Sequence, residues 1–162
     1  MTRVNWSWYL KKGVLILVEK IVTPGRVIMG RLKKGDDLLS ALTEICVKNS
    51  ITAGEVRAIG AVTKARVGYY KQQKREYTYI SFAEPLEIIS LVGNISLKDK
   101  EPFVHAHITL MDEEGHSYGG HLAPGTEVFA CEYIIQEYHT GDQGLNRVYN
   151  EKTGLALWED GK

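Results

Sequence analysis

Three histidines lie in the one stretch of the chain whose residue types and spacing are typical of a metal site: His105, His107 and His121. A neutral imidazole is a good ligand for divalent transition metals, and zinc–nitrogen distances are about 2.0–2.1 Å. Three protein ligands leave a fourth position on the ion for water or a substrate. A His-x-His pair alone is more often two surface or packing residues, so the third histidine is what supports a metal site.

The residues from Phe103 to Met111 alternate as those of a half-buried strand do. Successive side chains of a strand face opposite sides of the sheet. Even-numbered positions 104–110 are all apolar, so this face is predicted to pack on the core. His105 and His107 then stand together on the other face.

A three-residue loop ending at Gly115 would bring His121 onto that same face. Glycine suits the left-handed position that such a loop requires. His107 would then lie directly opposite His121, with Cβ atoms about 4.5–5.5 Å apart, and His105 would be the next neighbour on that face. A loop of two or four residues would instead turn His121 to the opposite face. Gly119 and Gly120 lack side chains and are expected to leave room beside the site.

The other titratable residues of this region have weaker claims to a role. Glu87 lies among apolar neighbours and is a weak candidate for a residue that supports a metal ligand or for a general base, although an edge-strand carboxylate facing water is the favoured interpretation. Glu113 and Glu114 are expected to be solvated turn residues. His116 and His139 are interpreted as surface residues. An open zinc position could itself support catalysis, because zinc lowers the pKa of bound water toward ~7.

The rest of the sequence predicts the helix and strands that hold these residues in place. An apolar stripe at helical spacing predicts one helix over 36–49, made of Leu38, Leu39, Leu42, Ile45 and Cys46. Short strands are predicted at 25–32, 55–70, 77–82, 85–96, 103–111, 116–122 and 127–138, with a closing hairpin at 147–149 and 154–158. Val27 and Met29 share one face of the first strand. The fold class is predicted as α+β, a mainly antiparallel sheet or half-barrel with one principal helix packed on it.

The chain has 162 residues, which fits one core. Residues 1–24 are interpreted as an N-terminal arm, 25–140 as the domain and 141–162 as a C-terminal extension with the hairpin. Cys46 and Cys131 are predicted to be buried free thiols, which suit a reducing compartment. The five apolar residues at 14–18 are too few for a membrane span. We therefore expect a cytoplasmic protein with no membrane partner.

Charge argues against an extensive nucleic-acid surface. Twenty Lys and Arg balance twenty Asp and Glu, whereas a duplex-binding domain usually carries a basic excess. The best local candidate is the Lys64–Tyr79 segment, in which cations alternate with tyrosines. Cations and stacking rings are typical of nucleic-acid surfaces. A solvated hairpin tip flanked by strand tyrosines is the favoured alternative.

The chain resembles the plant and prokaryote conserved (PPC) domain family over about two-thirds of its length. The similar segments are the KKGDDL helix opening, IGAVTKARVGYY (59–70), EIISLVGNIS (87–96), HAHITLMDEEG (105–115) and GGHL (119–122). The resemblance implies an α+β fold that assembles as a homotrimer. It also implies zinc or another divalent transition metal held by three histidines, which correspond to His105, His107 and His121.

Plant members of this family join the domain to AT-hook segments that bind DNA, and prokaryotic stand-alone members often carry the label of predicted DNA-binding proteins. No Arg-Gly-Arg-Pro hook occurs in this sequence. Three roles are therefore considered for a metal-binding chain. It could be a DNA-binding or regulatory protein, a metal-dependent enzyme acting on a small molecule, or an assembly module that the ion stiffens.

Overall fold

A computed structural model describes residues 18–141 and 144–159. These residues form one helix and nine strands: β1 (Thr23–Leu32), α1 (Leu38–Lys48), β2 (Gly54–Lys71), β3 (Glu76–Phe82), β4 (Leu86–Lys98), β5 (Glu101–Met111), β6 (Ser117–Leu122), β7 (Glu127–His139), β8 (Asn146–Asn150) and β9 (Leu155–Trp158). A sheet with a single short helix confirms the α+β class. Residues 1–17 of the predicted arm lie outside the described residues, and the division into arm, domain and extension stays a prediction.

The helix forms where the apolar stripe predicted it. Asp37 caps its first turn, since its carboxylate accepts a hydrogen bond from the Ser40 backbone N–H at 3.0 Å. Leu38, Leu42 and Cys46 are fully buried, so the stripe faces the core. Asn49 forms the C-cap, two residues before the next buried side chain. Within the described residues, no helix has the length and apolarity needed to cross a bilayer.

All nine strands belong to one sheet, and the long strand β2 organises it. Residues 54–62 of β2 pair with β4 on one side and with β7 on the other, and residues 65–71 pair with β3. Strand β6 joins β2 at 67–68. Because β4 pairs with β5 and β5 with β6, strands β2, β4, β5 and β6 form a closed circuit. Every pairing is antiparallel except that of β4 with β8.

The core lies between this curved sheet and α1, which packs against β5. The even-numbered residues 104–110 of β5 are at most 4% exposed, as the alternation predicted. The odd-numbered residues point to the outer face of the sheet. The predicted closing hairpin is formed by β8 and β9, which pair Arg147 with Trp158 and attach to the edge of β4.

Candidate metal centre

The turn between β5 and β6 has the geometry that the sequence predicted. The backbone N–H of Asp112 donates to the His116 carbonyl at 3.1 Å, which closes a three-residue loop. Gly115 has φ +85°, in the left-handed region that favours glycine. The register that follows pairs His107 with His121. The structure therefore confirms the predicted juxtaposition of these two histidines.

His105 completes a compact cluster with the other two histidines. The ring centroids are 5.6 Å apart for His105 and His107, 5.0 Å for His105 and His121, and 5.6 Å for His107 and His121. One nitrogen from each ring lies within 4.8 Å of a nitrogen of each other ring. Three imidazoles on paired strands are thus close enough to share one ion. Metal binding by them stays a prediction of the sequence.

The surroundings of His105 and His121 favour neutral imidazoles. Burial, the charge of Arg147 and the two neighbouring histidines together lower the pKa of His105 to about 4. Burial, His107 and Arg147 also lower the pKa of His121. A neutral ring keeps one nitrogen lone pair free, and a metal ligand requires that lone pair.

One nitrogen of the cluster lacks a partner. Among the described residues, the Nδ1 atom of His121 is buried and has no hydrogen bond. A buried polar atom without a partner is unfavourable, so such atoms usually have a ligand or a function. A divalent transition metal would fit this donor set, since it accepts several neutral imidazoles at once.

Arg147 is a member of the site that the sequence analysis missed. Its Nη2 atom lies 3.4 Å from His105 Nδ1 and donates to Asn94 Oδ1 at 2.8 Å. Its Nε–H donates to Ser96 Oγ at 2.8 Å. No local pattern could have identified this residue, because strand β8 reaches the cluster from 42 positions along the chain. Its position in a predicted hairpin was the only available signal.

A tyrosine ring also contacts the cluster. The ring of Tyr77 lies 5.1 Å from the ring of His121. Gly68 pairs with His121 across the β2–β6 contact, and a Cβ at Gly68 would lie 3.1 Å from the Tyr77 ring. The absence of a side chain at Gly68 therefore lets the tyrosine ring approach the histidine.

The role expected for Gly119 and Gly120 is corrected by the structure. A Cβ at Gly119 would lie 2.8 Å from the Ile108 carbonyl oxygen, and one at Gly120 would lie 2.8 Å from the Gly68 carbonyl oxygen. Neighbouring backbone occupies the space that these glycines were expected to leave free. They permit close strand packing rather than opening room for a ligand.

The other candidate residues lie apart from the cluster. Glu87 is exposed and pairs with Met111, the last residue of β5, which is six positions beyond His105. It lies on β4, which has partners on both sides, so the expected edge position is wrong. Glu113, Glu114, His116 and His139 are exposed, as expected. His116 Nδ1 lies 3.0 Å from Asp112 Oδ2, and His116, Asp112 and Glu114 make a second possible group of metal ligands at the turn.

Some side chains of the Lys64–Tyr79 segment already make contacts with other residues of the chain. The guanidinium of Arg66 lies 3.7 Å from the ring centroid of Tyr79. The Tyr70 hydroxyl donates to the Thr153 carbonyl at 2.7 Å and fixes the β8–β9 turn. These residues are therefore less available to phosphates and bases than the sequence suggested.

A pocket of about 480 Å³ opens beside the histidines. His105 and His107 form part of its wall, with Asn94 from β4 and Trp158 from β9. Lys20 and Glu55 also line it, and Glu55 pairs with Arg57 at 3.3 Å. The pocket is large enough for a small molecule beside the histidines.

Comparison with known proteins identifies the family. Residues 19–139 match the profile of the Plants and Prokaryotes Conserved (PCC) domain. The chain is 41% identical to a metal-containing protein of Archaeoglobus fulgidus, whose crystal structure matches 87% of this chain and 98% of its own with a TM-score of 0.82. It is 39% identical to a PPC protein of Pyrococcus horikoshii, with 90% and 99% of the chains covered and a TM-score of 0.82.

A curated relative is much longer. The chain is 31% identical over 111 residues to the bifunctional protein GlmU of Synechococcus sp. (strain JA-3-3Ab), a match that covers 68% of this chain. The chain spans only 17% of that relative's length. The family match covers most of the described sheet and all three clustered histidines. The chain belongs to the Plants and Prokaryotes Conserved domain family.

Proposed function

We propose that this chain is a metal-binding protein in which His105, His107 and His121 hold zinc or a similar divalent transition metal. The observation that carries the proposal is the convergence of three imidazoles, with the Nδ1 atom of His121 buried and unpartnered within the described residues. The similar protein of Archaeoglobus fulgidus is described as metal-containing, which supports the same assignment here. Three ligands leave one coordination position open.

Zinc affinity tests the proposal. Competition with a chelating dye should show that His107→Ala weakens zinc binding by about a hundredfold or more, because loss of even an outer partner of a metal ligand costs about 10–100-fold. The matched control is His116→Ala, in the second group of possible ligands at the turn. His116→Ala should bind zinc as the wild type does. Equal affinity for wild type and His107→Ala, or a loss confined to His116→Ala, would contradict the assignment.

A second candidate function is metal-dependent chemistry on a small molecule. The pocket supports it, because two of the three proposed ligands, His105 and His107, form part of the wall of a space of about 480 Å³. When bound, zinc would supply an activated water at neutral pH. Within the described pocket wall, the chain's own residues can orient a ligand through Asn94 and enclose it with Trp158.

A DNA-binding or regulatory role has weaker support. The zero net charge provides no general attraction for a duplex. The internal contacts of Arg66 and Tyr70 also reduce what the Lys64–Tyr79 segment can offer to a nucleic acid. Steep loss of duplex affinity with salt would be the sign of phosphate contacts.

We further propose that three copies of the chain assemble. The outer face of the sheet carries exposed apolar side chains on three strands, Met29 (71% exposed), Ile59 (58%) and Val92 (57%). They line one open pocket with a volume of about 550 Å³ between β1, β2, β4 and β7. Such contiguous apolar surface is typical of an interface between subunits. Val92 also pairs with His107, so the interface would adjoin the histidine cluster.

The two cysteines support a reducing compartment. Cys46 and Cys131 are buried and free. Burial raises the pKa of the Cys46 thiol to about 12 and is the main reason that the pKa of Cys131 rises to about 11. Both thiols act as small apolar core groups. We therefore propose a cytoplasmic location.

A further inference from the structure

Arg147 is a half-buried cation held only by neutral groups. Its Nε–H donates to Ser96, one Nη2–H donates to Asn94, and Nη1 donates to the Ala156 carbonyl at 3.1 Å. None of the ion pairs formed within residues 18–141 and 144–159 includes Arg147. A buried charge without a counter-charge is unfavourable. The side chain is therefore poised to accept an anion.

The fourth contact of Arg147 is incompatible with a metal on His105. Its Nη2 atom lies 3.4 Å from His105 Nδ1, which can accept a hydrogen bond only through a free lone pair. If Nδ1 binds the ion, that lone pair is used. If Nε2 binds the ion, Nδ1 carries the proton of the neutral ring. In either case metal binding leaves a guanidinium N–H beside the ion without its acceptor.

The charges of the site point to the same ligand. Three neutral imidazoles leave the full double charge on the ion, and Arg147 adds a third positive charge. The carboxylate on the nearby pocket wall, Glu55, is engaged with Arg57. We infer that the metal centre takes a small carboxylate, with one oxygen on the open metal position and the other on Arg147. This inference rests on the proposed function.

The β8–β9 hairpin provides the setting for such a ligand. It supplies both Arg147 and Trp158, whose ring centroid lies 5.8 Å from the guanidinium carbon. Phe103 lies on the same guanidinium at 5.4 Å. The hairpin lies beyond residues 19–139, the part that matches the family profile. The carboxylate ligand would thus be held in part by residues that lie outside the range of the profile.

Cobalt provides a direct readout, because the visible bands of Co²⁺ change when a ligand enters its open position. The cobalt-substituted full chain is titrated with acetate, and with acetamide as a neutral molecule of the same shape. Acetate should shift the bands of the wild type with saturation, and acetamide should not. Arg147→Gln should weaken acetate binding about tenfold or more. It should not weaken cobalt binding, because it removes a positive charge beside the ion.

Two further variants separate this role from a merely structural one. Arg66→Gln removes a guanidinium that lies over Tyr79, and it should leave acetate affinity unchanged. Arg147→Lys keeps the charge but loses the planar fork, so it should also weaken acetate binding. If circular dichroism shows that Arg147→Gln does not fold, the acetate affinity of Arg147→Lys tests the role of Arg147 instead.

The outcomes distinguish the two proposals. A wild type that binds cobalt but shows no acetate-dependent shift overturns the carboxylate inference and leaves the metal assignment standing. Wild-type acetate affinity in a folded Arg147→Gln variant, or in Arg147→Lys if Arg147→Gln is unfolded, also overturns it. A wild type that binds no cobalt overturns the proposed function and this inference together.

Discussion

The protonation of His105 is set by the residues that surround its side chain. Partial burial and the charge of Arg147 lower its pKa to about 4, so its imidazole is neutral at physiological pH. Protons then compete little with a metal for its lone pair. The alternation of β5 could be predicted from the sequence, but this electrostatic setting could not. It depends on Arg147, which only the tertiary fold brings to His105.

Glu137 carries a residue-scale prediction on stability. Its carboxylate accepts hydrogen bonds from the Arg26 side chain at 2.7 and 2.9 Å and joins β7 to β1. These bonds are the main cause that lowers the pKa of Glu137 from 4.5 to about 2. The unfolded chain therefore binds the proton more readily than the folded one between these values. The stabilisation is fully present above pH 4.5 and is lost as the pH falls through 2.

Urea unfolding of Glu137→Gln measures this contribution. The variant should be less stable than the wild type by about 1–3 kcal/mol at pH 7, since it replaces hydrogen bonds to a charged group. The difference should shrink between pH 4.5 and pH 2. Glu87→Gln, which alters an exposed carboxylate, is the control and should change stability little. Equal stability of Glu137→Gln and wild type at pH 7 would contradict the expected role.

At the scale of elements, the β5–β6 hairpin could be predicted because its determinants are local. Alternation places His105 and His107 on one face, and a loop ending at Gly115 fixes the partner of His107. The partners of β2 could not be predicted in this way. Its pairing with β4, β6 and β7 is decided by packing between residues distant in sequence. For the same reason, the closed circuit of strands and the position of Arg147 beside the histidine cluster could not be predicted.

Gly60 in β2 carries an element-scale prediction. Gly60 has φ +142°, and a Cβ there would collide with the Ala130 carbonyl oxygen on β7. Gly35 also has a positive φ, +90°, but nothing lies within 4 Å of a Cβ built there. Gly60→Ala should therefore destabilise the fold more than Gly35→Ala, for which the backbone cost alone is about 1 kcal/mol or somewhat more.

Thermal or urea unfolding of the two variants compares them directly. Gly35→Ala serves as the reference, because both glycines have a positive φ but only Gly60 has a neighbouring backbone atom that an added Cβ would meet. If Gly60→Ala were as stable as Gly35→Ala, β2 and β7 would have to separate freely at Gly60. That result would be inconsistent with a rigid pairing at this point.

At the scale of the whole molecule, the fold buries one face of the sheet and leaves the other exposed. The sequence predicts that Val27 and Met29 share a face, but periodicity alone does not tell a core face from an interface. The structure exposes both residues, whereas the opposite face packs on α1. An apolar face that the chain itself does not cover is consistent with the proposed trimer.

A charge on that face tests the trimer. Ile59→Glu should leave a single chain folded, because Ile59 is 58% exposed, but should dissociate the assembly by placing a charge in an apolar interface. Analytical ultracentrifugation should show a trimer for the wild type and a smaller species for the variant. Ile80→Glu, a similar change at an exposed position on β3, should remain trimeric. A monomeric wild type, or a trimeric Ile59→Glu, would contradict the proposed assembly.

The central claim, that three imidazoles from one hairpin bind a single metal ion, is tested most directly by X-ray absorption at the zinc edge of the zinc-bound protein. We expect a shell of four light atoms at about 2.0–2.1 Å, with outer scattering from three imidazole rings. The same measurement on His107→Ala should lose one imidazole. A shell containing sulfur at about 2.3 Å, or one of oxygen atoms without imidazole scattering, would contradict metal binding by the three histidines.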